Sequence, residues 1–322
     1  TERILSSDTF TVLGDRIEAP HYDKWVEANE NRKGLQTEAQ LEAELIDTLT
    51  DQGYEYLSDL TDEAALIRNL REQLERFNTR PEEGTYGPNS GFHFTDEEFD
   101  RLLTEHLARS NDGILEKAKI IQEERFIDFR LDDGTLRNIM LINAKYPAQN
   151  LMQVVNQYRV PAANGKTLNR YDVTILVNGL PLVHIELKKR NVGIQEAFQQ
   201  IERYQGTGFQ MDEHRLFEYA QIFVISNGVE TKYYSNTVRH KHIEDLQEVR
   251  RKNPSGGSAG KSFEFTSYWA DAKNNRISDL MLFARTFLAK NALANILTRY
   301  CILTVDQDLL VMRPYQIAAT ER

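Results

Sequence analysis

Cysteine is almost absent from this chain. Cys301 is the only one in 322 residues, so no intrachain disulfide framework supports the fold, as suits a reducing cytosol. Also missing is any uninterrupted apolar run of the roughly twenty residues that a membrane-spanning helix needs. The opening TERILSSDTF has no signal-peptide core, so no membrane association and a cytoplasmic location are expected. The first residue is not methionine, as in a trimmed or processed chain. An excess of positive charge is lacking as well: 39 Lys and Arg against 49 Asp and Glu leave a formal net charge of −10. That excludes a protein whose whole surface binds nucleic acid, but not one with a local basic groove. There is no internal repeat, and low-complexity sequence is confined to the Gly/Ser linker at 255–261.

Two further apparent motifs fail on inspection. Residues 256–262, GGSAGKS, imitate a phosphate loop, but Ser255 stands where G-x-x-x-x-G-K-[ST] requires glycine, and no apolar strand precedes it. His240 and His242 are too close for a helical metal pair, and no acid or cysteine array completes a zinc site.

What is present is an ordinary soluble composition, 40% hydrophobic and 27% charged, in a chain long enough for one large or two modest domains. Residues 1–36 show little periodicity and read as an arm. A helix is expected from Thr37, whose spacing to Gln40 is that of a capping box, through Leu41, Leu45, Ile46 and Leu49 to a stop near Gly53. Glu42 falls on its inward, apolar face and so needs a partner. Further helices are expected at 66–77, 96–109, 194–205 and 277–297. Strands are expected at 125–131 and 137–142, flanking an Asp-Asp-Gly hairpin signal, and at 151–160, 220–225, 230–235, 300–305 and 309–312. Strand, hairpin, helix and strand in that order predict an α/β core around a mixed sheet.

The chemistry concentrates in 170–190, RYDVTILVNGLPLVHIELKKR. Two β-branched runs flank an Asn178-Gly179 turn signal. On the second, Glu186 and Lys188 share a face with His184, while Val183, Ile185 and Leu187 form the core face of a half-buried strand. With Asp172 on the preceding strand, this is the D-x(n)-(D/E)-x-K pattern of metal-dependent nucleases. The pattern alone is loose, and solvent-facing charges are the commoner explanation of such a match. Register tests it. A plain two-residue loop sets Asp172 opposite Ile185, facing away from Glu186. A three-residue loop, 177–179, sets it opposite His184 and diagonal to Glu186. The chemistry therefore requires an odd loop or a bulge. Gln200 and Tyr204, four apart on the next helix, add a second polar pair, and His184 is expected to pack or to meet a phosphate.

The run DVTILVNGLPLVHIELKK, then EAFQQIERY and FVISNGVETKYYS, resembles the nuclease domain of type I restriction enzyme R subunits. The early ELIDTLTDQGYEYL helix, SYWADAKNN and the closing VMRPYQ agree with it, so the resemblance covers about residues 37–322. It implies a PD-(D/E)xK restriction-endonuclease-like core, a central mixed β-sheet flanked by helices, with helical N-terminal elements. The division it implies is an arm (1–36), an endonuclease domain (37–255), and a linker with the start of a helicase-like domain (256–322). Asp172 and Glu186 would bind Mg²⁺ with the Leu187 carbonyl, and Lys188 would activate water and stabilise phosphate charge. Glu42 would add to the metal site, with Glu38 as the other choice, and Gln200 and Tyr204 would position DNA. The residue before the first acid is Tyr171, where many nucleases of this kind carry proline. Gln316 in Arg313-Pro314-Tyr315-Gln316 resembles the adenine-reading glutamine of a helicase motor, so ATP would serve only the full-length subunit. Implied partners are double-stranded DNA and the modification (methyltransferase) and specificity subunits. The rival reading is a non-catalytic DNA-binding or docking module on the same fold, whose acids are relics. The complete Asp/Glu/Lys set together with Gln/Tyr favours the enzyme.

Overall fold

The computed structural model describes residues 36–161, 168–190, 192–194, 196–197, 213–237, 266–271 and 273–321. The expected 194–205 helix, with Gln200 and Tyr204, lies largely outside them, as does the 1–36 arm apart from its last residue.

The chain enters through helix α1 (Glu38–Asp51), closed by the Thr37–Gln40 capping box that its sequence promises. Strand β1 (Glu55–Tyr56) and helix α2 (Glu63–Asn78) follow, then α3 (Asp96–Leu102) and α4 (Ile114–Lys119), each running on into a wider turn. Strands β2 (Phe126–Arg130) and β3 (Leu136–Met140) form a separate hairpin around Gly134. The central sheet is then built from β4 (Met152–Pro161), β5 (Leu168–Val177), β6 (Leu180–Leu187), β7 (Ile222–Ser226) and β8 (Thr231–Ser235). Its order is β1-β4-β5-β6-β7-β8, with β1–β4 and β6–β7 parallel and the remaining pairs antiparallel. The architecture is therefore mixed α/β around a mixed sheet.

After β8 come β9 (Trp269–Ala270), β10 (Arg276–Ile277), α5 (Leu280–Thr286), α6 (Lys290–Asn295), the hairpin β11 (Cys301–Leu303) and β12 (Leu309–Val311), and α7 (Pro314–Thr320). The single helix expected at 277–297 is broken between α5 and α6, which are bent by 68°. The cause is tertiary. The Tyr54 hydroxyl donates to the Leu288 carbonyl at 2.7 Å and the Gln52 amide to Ala284 O at 3.1 Å, so groups near the end of α1 take carbonyls that would otherwise cap the next helical turn. Among the described residues no single helix is long and apolar enough to cross a membrane.

β6 differs from expectation in one respect. It lies inside the sheet with all eight residues buried, so it is covered on both faces rather than half-buried. α1 packs against it through a face that includes Leu41, Leu45 and Leu49. This placement makes the charges on β6 costly unless they are paired.

The β5–β6 connection meets the requirement for an odd loop or a bulge by a bulge, and corrects the three-residue loop. Val177 pairs with Leu180, so the loop has two residues, Asn178 (φ 51°) and Gly179 (φ 88°), the twin positive φ values of a type I′ turn. The extra residue is in the strand instead. Ile175 pairs with Val183 and Leu176 with Pro181, which leaves Leu182 as a bulge. The shift continues through Val173↔Ile185 and brings Asp172 level with Glu186 rather than with His184. The turn is held by the buried Asn178 side chain, which accepts from Leu151 N and donates to Leu141 O and Asn150 Oδ1 at 2.8–2.9 Å.

Gly179 is both left-handed and crowded: a Cβ there would stand 2.8 Å from the Leu70 Cα on α2. Gly179→Ala is therefore expected to destabilise the protein by about 1–3 kcal/mol, from backbone strain with the clash adding to it. Urea unfolding should show this as a lower midpoint with unchanged slope, and an unchanged midpoint would contradict the account of the turn.

Candidate metal and nuclease site

At the end of β6 the ladder between β5 and β6 gives way to side-chain chemistry. Asp172, half-buried on β5, accepts a hydrogen bond from the Leu187 backbone N–H at 2.8 Å through Oδ2. Glu186 is fully buried. Its Oε1 lies 3.3 Å from the Lys188 ammonium, which also donates to the Leu187 carbonyl at 2.9 Å. Among the described residues no N–H or hydroxyl meets Glu186 Oε2; His184 Nε2 stands 3.6 Å off, and the Asp172 carboxyl is the hydrogen-bonding neighbour of Glu186. The structure thus brings Asp172, Glu186, Lys188 and the Leu187 carbonyl together at one point. His184 is buried beside them, its Nδ1 3.2 Å from the Thr174 hydroxyl and its ring edge-on to Tyr171.

Burial governs the electrostatics. It pushes the Asp172 carboxyl up to about 8, with the Glu186 charge adding to the rise and the Leu187 N–H opposing it. Glu186 is likewise pushed up to about 8 by burial, with the Lys188 ammonium opposing the shift. Two acids facing one ammonium in a dry site cannot both ionise cheaply.

The helix glutamates separate. Both Glu42 oxygens are taken, by the Asn156 amide at 2.5 Å and the Gln157 amide at 2.7 Å. The partner that an inward glutamate needs is therefore a pair of amides on β4. Glu38, exposed in the first turn of α1, lies near enough for its charge to be felt at Glu186. Gln157 has a left-handed backbone (φ 53°) at the position in β4 that the register sets across from Asp172. Nothing in the residue type signals this. Gln200 and Tyr204 lie outside the described residues. Gln316 is remote from the acids in the fold: it sits in the first turn of α7, where its Oε1 caps Arg313 N at 2.7 Å. It adjoins a cavity of about 410 Å³ lined by residues that include Tyr268, Arg276, Arg313 and Tyr315, with the Arg276 guanidinium 3.7 Å from the Tyr268 ring centre.

The donor set suits a hard cation. Asp172, Glu186 and the Leu187 carbonyl all offer oxygens, and Mg²⁺ is commonly held by one or two carboxylates with water completing the shell. Among the described residues no group of three or more His, Cys, Asp or Glu side chains is close enough to hold a metal. A site here would accordingly be a two-carboxylate one.

Comparison with known proteins places the chain in a family. The chain belongs to the type I restriction enzyme R protein N terminus family, whose sequence model matches residues 35–242. It is 42% identical over all 322 residues to the type I restriction enzyme EcoprrI endonuclease subunit of Escherichia coli, of which it spans 89%. It is 37% identical over 287 residues to the SsaAORF53P endonuclease subunit of Staphylococcus saprophyticus, spanning 27% of that protein. An archaeal relative, the putative MjaIXP endonuclease subunit of Methanocaldococcus jannaschii, is 34% identical over 105 residues.

The raised carboxyls make stability depend on pH in a definite sense. Unfolded, Asp172 and Glu186 titrate near their ordinary values of 3.8 and 4.5; folded, each holds its proton to about 8. Between about pH 4 and pH 8 the folded state therefore binds more protons, and the metal-free protein loses stability as pH rises. Chemical denaturation of the wild type and Glu186→Gln across this range should show a steeper decline for the wild type. Equal slopes would contradict the raised carboxyls.

Proposed function

We propose that this chain carries the DNA-cleaving centre of a type I restriction endonuclease subunit, on a PD-(D/E)xK-like core, and that it hydrolyses phosphodiesters with Mg²⁺. The observation that carries the reading is the meeting of Asp172, Glu186, Lys188 and the Leu187 carbonyl where the strands separate. Membership of the family supports it. Asp172 and Glu186, with the Leu187 carbonyl, would hold the cation. When bound, Mg²⁺ would polarise the scissile phosphate and lower the pKa of a bound water. Lys188 would present its ammonium to the phosphate oxygens that gain charge in the transition state. The dry surroundings strengthen both effects, because field lines between these groups pass through little water. Thr174 and Tyr171 would keep the His184 ring beside Glu186 and limit the freedom of that carboxylate.

Neither helix glutamate is assigned to the cation: the Glu42 oxygens already serve Asn156 and Gln157, and Glu38 reaches Glu186 only through its charge. Gln200 and Tyr204 are assigned to DNA positioning on the resemblance alone. Gln316 and the neighbouring cavity are assigned to adenine of ATP in the longer subunit, where Arg276 and Arg313 supply positive charge and Tyr268 and Tyr315 supply aromatic faces. The cleaved substrate is double-stranded DNA. The modification and specificity subunits are the partners through which the subunit would reach it.

The test uses the longer subunit assembled with those partners. Glu186→Gln and Lys188→Ala should each reduce cleavage of DNA carrying a recognition site by about 10²-fold or more, the usual loss on removing a group that stabilises developing charge. ATP hydrolysis should stay near the wild type, and circular dichroism should show both variants folded. Cleavage within a few-fold of wild type in both variants would overturn the assignment.

A further inference from the structure

The Lys188 side chain is engaged by two oxygens of the site itself. Its ammonium is almost fully buried and touches Glu186 Oε1 and the Leu187 carbonyl, 3.3 Å and 2.9 Å away. These are two of the three groups that would ligate a cation. A cation drawing on both oxygens at about 2.0–2.1 Å would compete with Nζ for the lone pairs that the ammonium now takes. The lysine is built to leave. Its residue lies just past the end of β6, its backbone N–H is fixed to Ser226 O at 2.8 Å, and its four-carbon stem can swing the ammonium without moving the strand. Lys189 beside it is exposed, so solvent lies within one residue.

We propose that Lys188 is an internal counter-cation that occupies the acidic site when metal is absent, and that a divalent cation binds by displacing its ammonium. The inference rests on reading Asp172, Glu186 and the Leu187 carbonyl as the cation ligands. It deepens that reading by assigning the site a resting state. In that state the Lys188 ammonium meets Glu186 Oε1 and the Leu187 carbonyl, and the lysine is withheld from any phosphate. Cation binding and release of the lysine are one event, so the water-activating and charge-stabilising halves of the centre assemble together. The cost is affinity: the cation must compete with a tethered ammonium.

The experiment follows the amine itself. Ca²⁺ is titrated into the full chain by calorimetry, and in parallel the protein is pulse-labelled by reductive methylation, with Lys188 and Lys189 quantified by peptide mass spectrometry. Lys188 should label slowly without metal and several-fold faster at saturation, its labelling following the binding isotherm while Lys189 stays constant. Lys188→Met should bind Ca²⁺ on the order of tenfold more tightly, which corresponds to about 1.4 kcal/mol. Metal binding that is lost in Glu186→Gln but leaves wild-type Lys188 labelling unchanged would overturn displacement while preserving the metal site. A flat calorimetric trace, or binding unaffected by Glu186→Gln, would sink the metal-site reading, and this inference with it.

Discussion

The constraint on which the rest depends is a carboxylate that the fold places where a charge is hardest to keep. Glu186 sits on an interior strand of a six-stranded sheet, fully buried, with α1 packed against that strand. An isolated charge there would cost several kcal/mol. The surrounding arrangement answers it: the Lys188 ammonium and the elevated Asp172 and Glu186 carboxyls. A site that is expensive to maintain for stability and is assembled from oxygen donors has the properties of a cation-binding centre.

The sheet irregularities serve this placement. The bulge at Leu182 shifts β6 by one residue and turns Asp172 from the wrong face to the right one, level with Glu186. Beyond the last ladder pair, the Asp172 side chain takes the Leu187 N–H. On the other side of β5, Gln157 leaves ordinary strand geometry and reaches Glu42. The strands thus separate locally while the outer parts of the sheet stay regular. The Asn178-Gly179 turn, fixed through Asn178 and fitted against α2 through Gly179, sets the register from the far end of the hairpin.

Much of this was legible in the sequence because it rests on short-range signals. The capping box at Thr37, the 3.6-residue pattern of α1, the Asn-Gly turn and the β-branched runs on either side of it each depend on neighbouring residues alone. The demand that Asp172 and Glu186 share a face implied one extra residue in the hairpin, but alternation cannot say whether it belongs to the loop or the strand, and here it is in the strand. Long-range effects were not legible. The break between α5 and α6 depends on Tyr54 and Gln52, more than two hundred positions earlier. The burial of β6 on both faces depends on where the strand falls in the sheet order. The diversion of Glu42 from the site depends on two amides of β4 that no local pattern links to α1.

The central claim is that Asp172, Glu186 and the Leu187 carbonyl bind one divalent cation. Its most direct test is a crystal structure of the protein grown with Mn²⁺, with anomalous data collected to locate the metal. The account predicts an anomalous peak at coordination distance, about 2.0–2.3 Å, from all three oxygen-bearing groups, with the Lys188 ammonium withdrawn from Glu186. Well-ordered density in which Glu186 still pairs with Lys188, with no peak between Asp172 and Glu186 at saturating Mn²⁺, would contradict it.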